Sequence, residues 1–308
     1  MDLSHIPNDR LQRIYALGYD YSSQPKERVR YCNLCGASEH TQISHVDRYG
    51  YAATAAACSV CGLTFLNPVM TSEAYSDFYA HIYRPLVSAY HGRSINAQTI
   101  QGEQEEYAVA LAEFIRPWLN NGVVSTFLDI GGSTGVVAGV LAKTFNITAA
   151  VLDPAADELE WAGSSGLEII PGFIEEYQPK GRQFDLVTLC QTIDHLSDAL
   201  GSLRKIRQLL TADGLFFVDI VDFRAAFLRQ KNIEGAVKID HPYYFTEDTI
   251  EAILLRSGFK VLQKIYATDH LHVGYICSMT EICEKALPKP DFVREFFREL
   301  RFTQNARR

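Results

Sequence analysis

In the stretch S-T-F-L-D-I-G-G-S-T-G, Ser125 to Gly135, three apolar residues (Phe127, Leu128 and Ile130) read as a buried strand that closes on Asp129. Glycines follow at 131, 132 and 135, and a helix opens at Thr134. Without a Cβ, Gly131, Gly132 and Gly135 let the backbone bend sharply and approach a ligand closely. Strand, glycine-rich turn and helix N-terminus together make a nucleotide-sized pocket in a doubly wound α/β fold.

The turn differs from other glycine-rich loops. It has no Lys-Ser/Thr pair to cradle phosphates, and it does not meet G-x-G-x-x-G. A carboxylate just before the glycines repels a pyrophosphate but suits a ligand carrying an ammonium group. Beyond it, strands and helices alternate, the pattern of a mostly parallel sheet covered on both faces. A helix is expected over Val136–Phe145, then a second strand, I-T-A-A-V-L-D, that ends at Asp153. A carboxylate at that tip can accept both hydroxyls of a ribose, or cap the turn before Pro154. Further strands are expected at Leu167–Ile170, from Asp185 to Cys190-Gln191, and at G-L-F-F-V-D-I after an Asp213-Gly214 turn. A helix is expected to open at Thr192-Ile193-Asp194-His195-Leu196 and to run to Leu210. G-F-K-V-L-Q-K-I-Y-A-T-D and H-L-H-V-G-Y-I-C-S-M read as a closing hairpin that turns near Asp269.

Asp129 followed by Gly131, Ser133 and Gly135 resembles the first motif of class I S-adenosylmethionine-dependent methyltransferases, D-x-G-x-G-x-G, with serine at the middle glycine. The resemblance implies a seven-stranded Rossmann-like sheet and a cofactor held by Asp129, Gly131, Gly132, Gly135 and Asp153. It further implies that Phe173 and Ile174 flank the adenine, with Glu175 near its amine, and that Gln191 lines the cofactor cleft. His195 is the best candidate for a general base, since imidazole titrates near neutrality. A backbone-bonded structural histidine is the other reading of that position.

Upstream, Cys32-x-x-Cys35 and Cys58-x-x-Cys61 form two knuckles, each followed by a glycine (Gly36, Gly62). Two such knuckles complete a tetrahedral Cys₄ site for a structural Zn²⁺, and a redox dithiol is the alternative chemistry. The segment between them, with His40 and His45 on its surface, reads as a hairpin turning near Gly50. A capped helix follows from Thr71-Ser72 to Tyr83, where Pro85 is expected to stop it. The order of ribbon, G-L-x-x-L-N-P and tyrosine-rich helix resembles zinc-ribbon methyltransferases similar to deoxysugar C-methyltransferases and to enzymes of polysaccharide pathways. That resemblance places Tyr79, Tyr83 and Arg84 over cofactor or substrate. It also aligns Asp240-His241-Pro242-Tyr243-Tyr244-Phe245 with an H-x-Y-x-F-T element, so that His241 competes with His195 as base and Tyr243 is a further catalytic candidate.

Residues 96–119 read as one long helix with Tyr107, Leu111, Phe114 and Ile115 on one face, ended by Asn120-Asn121-Gly122. The expected organisation is an extension (1–30), a zinc ribbon (31–70), a helical lid (71–122), a catalytic domain (123–288) with a substrate insertion near 221–245, and a C-terminal helix (289–308) packed on the body or on a second subunit. Cys277 and Cys283 are expected to be buried thiols. A net charge of −8 over 308 residues argues against sequence-blind binding to nucleic acid or anionic membrane. No apolar run approaches the ~20 residues that cross a bilayer, and the N-terminus lacks a signal-peptide pattern, so a cytoplasmic location is expected. The functional expectation is methyl transfer to a small polar acceptor, sugar-linked by the subgroup resemblance, in a monomer or homodimer. The alternatives are a ribosomal RNA methyltransferase that grips its target through the ribbon, and a cofactor-binding protein without chemistry.

Overall fold

The inner strands of the central sheet are mostly apolar on both sides because both faces are covered. In a computed structural model, which describes residues 3, 6–119 and 124–305, Phe127 points into one core layer with Leu141, Phe114 and Phe217, while Leu128 and Ile130 point into the other with Val187, Leu203 and Ile253. Alternate residues of a strand face opposite sides, so a strand packed on both faces has no polar stripe.

The chain opens with α1 (Asn8–Tyr15), β1 (Lys26–Glu27), β2 (His40–Ser44), β3 (Ala55–Cys58), β4 (Thr64–Leu66) and β5 (Val69–Met70). Strands β2, β3 and β4 form an antiparallel sheet, and β1 pairs with β5. Next come α2 (Ser72–His81), α3 (Tyr83–His91) and α4 (Gln101–Leu119). Thr71 caps α2 by accepting from the Ala74 N–H. Pro85 does not stop that helix: α2 ends earlier, and Pro85 lies in the first turn of α3, where a missing N–H leaves no hydrogen bond unmade. The single helix expected over 96–119 begins only at Gln101, because the Asn96 carboxamide accepts from the Gln98 and Thr99 N–H groups and holds a turn. The Asn120–Gly122 turn, and with it the 122/123 boundary, lies outside the described residues.

The second half supplies β6 (Thr126–Ile130), α5 (Val136–Phe145), β7 (Thr148–Asp153), α6 (Ala156–Ser164), β8 (Glu168–Pro171), β9 (Phe184–Leu189), α7 (Ala199–Leu209), β10 (Leu210–Val221), α8 (Phe223–Gln230), β11 (Tyr243–Tyr244), α9 (Glu247–Arg256), β12 (Phe259–Tyr266), β13 (His272–Met279) and α10 (Pro290–Asn305). The seven-stranded sheet has the order β12-β13-β10-β9-β6-β7-β8, with β13 alone running antiparallel to the others. Strand order reverses between β6 and β9, which opens a ligand crevice at their C-terminal ends.

Two further expectations need correction. Thr192 to Leu210 is not one helix: a short 3₁₀ turn (Ile193–His195) precedes α7, because Asp198 caps α7 by accepting from the Gly201 N–H. Cys277 is buried, but Cys283 is exposed. The last helix packs on the body, with Phe292 and Phe296 in the core shared with α2, α3 and α8. The β2–β4 sheet gains a fourth strand from far along the chain, as β11 pairs with β4 through Tyr243↔Phe65 and Tyr244↔Thr64. Among the described residues, no helix is long and apolar enough to cross a membrane.

Candidate active site

The tips of β6, β7 and β10 each carry a buried carboxylate. Asp129 accepts from the Thr188 hydroxyl through Oδ1 at 2.6 Å, while its buried Oδ2 has no partner. Burial pushes its carboxyl up to about 7. Asp153 accepts from the N–H groups of Ser133 and Ala155, both at 2.8 Å, and burial pushes it up to about 6. Asp219 accepts from the Gln191 N–H at 2.5 Å and the Tyr107 hydroxyl at 2.8 Å, and burial again raises it to about 6.

The glycine turn keeps this space open. A Cβ on Gly132 would stand 2.7 Å from Asp129 Oδ2, and one on Gly131 (φ +70°) would collide with Thr192 at 2.5 Å. Ser133 takes a left-handed conformation (φ 52°) in the middle of the turn. Its hydroxyl bonds to Glu158, and Glu158 forms a half-buried ion pair with Arg84 of α3 at 2.8 Å. A cavity of about 720 Å³ spreads from these tips beneath α2, α3 and the start of α4.

Opposite the strand tips lies a buried histidine cluster. The Tyr79 hydroxyl donates to the Asp240 carbonyl at 2.8 Å and stands 2.7 Å from His195 Nδ1, which is itself 3.0 Å from that carbonyl. These contacts place the His195 proton on Nδ1 and leave Nε2 as an acceptor. Burial lowers this imidazole to about 4. The His195 and His241 rings meet edge to face at 4.6 Å. Asp194 Oδ2 lies 2.8 Å from His241 Nδ1, and Asp194 Oδ1 lies 3.9 Å from His195 Nε2.

The sulfurs of Cys32 and Cys61, and those of Cys35 and Cys58, are 3.5 Å apart, and all four lie within 4.8 Å of one another. A tetrahedral Zn²⁺ about 2.3 Å from each thiolate separates its sulfurs by about 3.8 Å. The four cysteines are unpaired by disulfides, and the Gly36 and Gly62 N–H groups close the two knuckles on the Cys32 and Cys58 carbonyls. The cluster is thus consistent with a zinc ribbon.

Residues 100–264, more than half of the chain, match the sequence family described as a methyltransferase domain. The chain belongs to this methyltransferase family. It is a class I methyltransferase domain, a fold whose methyl donor is S-adenosylmethionine. Among solved structures it is similar to an S-adenosylmethionine-dependent methyltransferase from Clostridium acetobutylicum (17% identity, 67% of this chain and 99% of that one, TM-score 0.46). It is also similar to magnesium protoporphyrin IX methyltransferase from Synechocystis (13%, 61% and 89%, TM-score 0.47) and to DesVI from Streptomyces venezuelae (16%, 58% and 92%, TM-score 0.48). No curated protein sequence matches the chain significantly.

In this methyltransferase, Asp129, Gly131, Gly132, Asp153, Phe173, Ile174, Gln191, Tyr79, Tyr83 and His195 all line the main cavity. Gly135 does not. Its added Cβ would meet Ala162 and Leu167 at 2.7 Å, so this glycine serves helix–sheet packing. His241 and Tyr243 do not line it either. His241 stands behind His195, and Tyr243 donates its hydroxyl to the Ser197 carbonyl beside a second cavity of about 250 Å³. Glu175 reaches the cavity but accepts from the Ser197 N–H and hydroxyl. Sequence reading missed Asp219, Glu158 and Lys238. Asp219 carried a usable signal, an acidic residue within an otherwise apolar strand run (F-F-V-D-I).

Proposed function

We propose that the enzyme methylates a small polar, sugar-like acceptor, with its cofactor along the strand tips and its acid–base group at His195. One observation carries the cofactor placement. Asp129 keeps a buried oxygen without a partner, beside backbone where a Cβ would fill the gap. A carboxylate so placed fits the ammonium of the cofactor's amino-acid end. Asp153 lies beside it at the next tip to receive ribose hydroxyls, since each of its oxygens spends one lone pair on a backbone N–H and retains another. Phe173 and Ile174 line the wall that suits the adenine, and Gln191, Tyr79 and Tyr83 border the space towards the acceptor.

When bound, S-adenosylmethionine supplies an electrophilic methyl group on a sulfonium centre. The chain's own task is to position the acceptor and to take its proton. His195 does so through Nε2. Its neutral state at physiological pH follows from burial, its ring is fixed by Tyr79 and the Asp240 carbonyl, and the Asp194 carboxylate 3.9 Å away stabilises the imidazolium that forms. A structural zinc held by Cys32, Cys35, Cys58 and Cys61 secures the sheet to which β11 is added. The polar rim of the cavity, with Arg84, Glu103 and Gln104 among its apolar walls, favours a hydroxylated acceptor over a lipid one.

The test is a screen of nucleotide sugars and related metabolites that follows release of S-adenosylhomocysteine. Turnover of one of them that is lost in His195→Gln supports the reading. Turnover confined to RNA, or undiminished in His195→Gln, overturns it.

A further inference from the structure

Lys238 is half-buried in the insertion between α8 and β11, with no carboxylate in ion-pair contact among the described residues. Its ammonium instead stands 3.2 Å from His241 Nε2. An ammonium only donates, so in this contact Nε2 must accept, and the ring's single proton sits on Nδ1. That proton points at Asp194 Oδ2, 2.8 Å away. Without Lys238 the same ring would lie between two carboxylates, since Asp240 Oδ2 is 3.4 Å from Nε2 and Asp240 Oδ1 has no partner. An imidazole so flanked takes up a second proton.

We propose that Lys238 is a positioning residue that keeps His241 neutral and in the Nδ1–H form, so that His195 alone receives the acceptor's proton. The inference rests on the assignment of His195 as the base. A free lysine is about four pH units more basic than a free imidazole, so a proton shared across a 3.2 Å contact belongs to the lysine. Burial lowers Lys238, and Asp240 and Asp194 act against that. A neutral His241 matters because the two rings touch. An imidazolium at 4.6 Å would oppose the charge that forms on His195 during transfer.

The other groups facing the pair do not replace Lys238. Arg48 is committed to the Tyr90 hydroxyl at 2.7 Å and stacks on that ring. Asp47 accepts from the Ile239, Tyr49 and Tyr51 N–H groups. The hydroxyls of Tyr79 and Tyr244 donate to the carbonyls of Asp240 and Lys238.

The experiment is imidazole ¹⁵N NMR on the full-length protein labelled at histidine, with His241→Gln and His195→Gln used for assignment. The wild type is expected to show His241 neutral and protonated on Nδ1. Lys238→Met is expected to turn that ring into an imidazolium at neutral pH and to lower kcat by about tenfold without changing cofactor affinity, while Lys238→Arg keeps the wild-type signals. A wild-type His241 that is doubly protonated, or protonated on Nε2, overturns the proposal even if Lys238→Met does not fold. An unchanged tautomer in Lys238→Met overturns it as well. A changed tautomer in Lys238→Met, together with full activity in His195→Gln, would instead dispose of the base assignment and leave the role of Lys238 in fixing His241 standing.

Discussion

At the strand tips, Asp129, Asp153 and Asp219 are pushed up to between about 6 and 7 by burial. Across the same cavity, burial also opposes the charge on Asp194 and Asp240, but the two imidazoles and Lys238 more than offset it and hold both below the usual carboxylate range. These five carboxylates thus divide into two kinds. At the tips Asp129 has no cation beside it and keeps an unpartnered oxygen, which a cationic ligand would meet. The histidine side carries its own basic groups, Lys238 and two imidazoles, before anything binds.

The largest expected effect separates the two sides mechanically. β11 follows directly from the Asp240-His241 segment and is held by β4 of the cysteine-bearing sheet, whereas the tips belong to the central sheet. Stripping zinc from a Cys₄ site removes on the order of 10 kcal/mol of local folding energy. Chelation should therefore melt the β2–β4 sheet, release β11 and abolish turnover, while S-adenosylhomocysteine still binds at the tips. Calorimetry before and after chelation measures this. Equal loss of binding and turnover would show that the two sides are not independent.

Next in size is His195→Gln. Removing a positioned general base costs about 10²–10⁴-fold in kcat, with cofactor affinity unchanged, because the ring lies on the histidine side. Steady-state kinetics with any turned-over acceptor decides it, and a rise in cofactor KM with kcat intact would move His195 to the binding side. Asp153→Ala should do the reverse. Losing hydrogen bonds to a charged group weakens cofactor binding by roughly 1–3 kcal/mol, and an unaltered dissociation constant would place the ribose elsewhere.

The two sides also differ in how much of them the sequence revealed. The tips of β6 and β7 were legible because their signals are local: an apolar run buried on both faces that ends in an acid, followed at β6 by glycines, whereas Asp219 of β10 was missed. The cysteine knuckles were legible for the same reason. On the histidine side His195, His241 and Tyr79 were named from sequence but their arrangement was not, since it is assembled by contacts such as Tyr79 to His195 and β11 to β4 across more than a hundred residues. A two-residue strand has no periodicity to detect. Pro85 misled because a proline that ends one helix and a proline that begins the next look alike in sequence. Asp194 was read only as part of a helix start, and its partner His241, with the Lys238 that contacts that ring, comes from the insertion 40 and more positions later.

The smallest effect tests the sign of the contrast. Asp129 titrates near 7 in the folded protein, against an ordinary carboxylate value when unfolded. A group raised in this way contributes stability that is complete below its unfolded value and is lost as pH rises through about 7. Asp194 and Asp240, held low, contribute stability above the ordinary value that is lost as pH falls below it. The ligand-free protein should therefore lose stability from the tip side on the way to pH 8 and from the histidine side below about pH 4. Asp129→Asn removes the first loss. It should raise the stability of the ligand-free enzyme at pH 8 by about 1–2 kcal/mol while weakening S-adenosylmethionine binding, because the carboxylate that burdens the empty fold is the one that meets the ligand's ammonium. Thermal unfolding at pH 5 and pH 8, with and without cofactor, reads both effects. A variant destabilised at pH 8, or one that binds as well as the wild type, would mean that Asp129 is already satisfied within the fold and that the two sides of the cavity are alike.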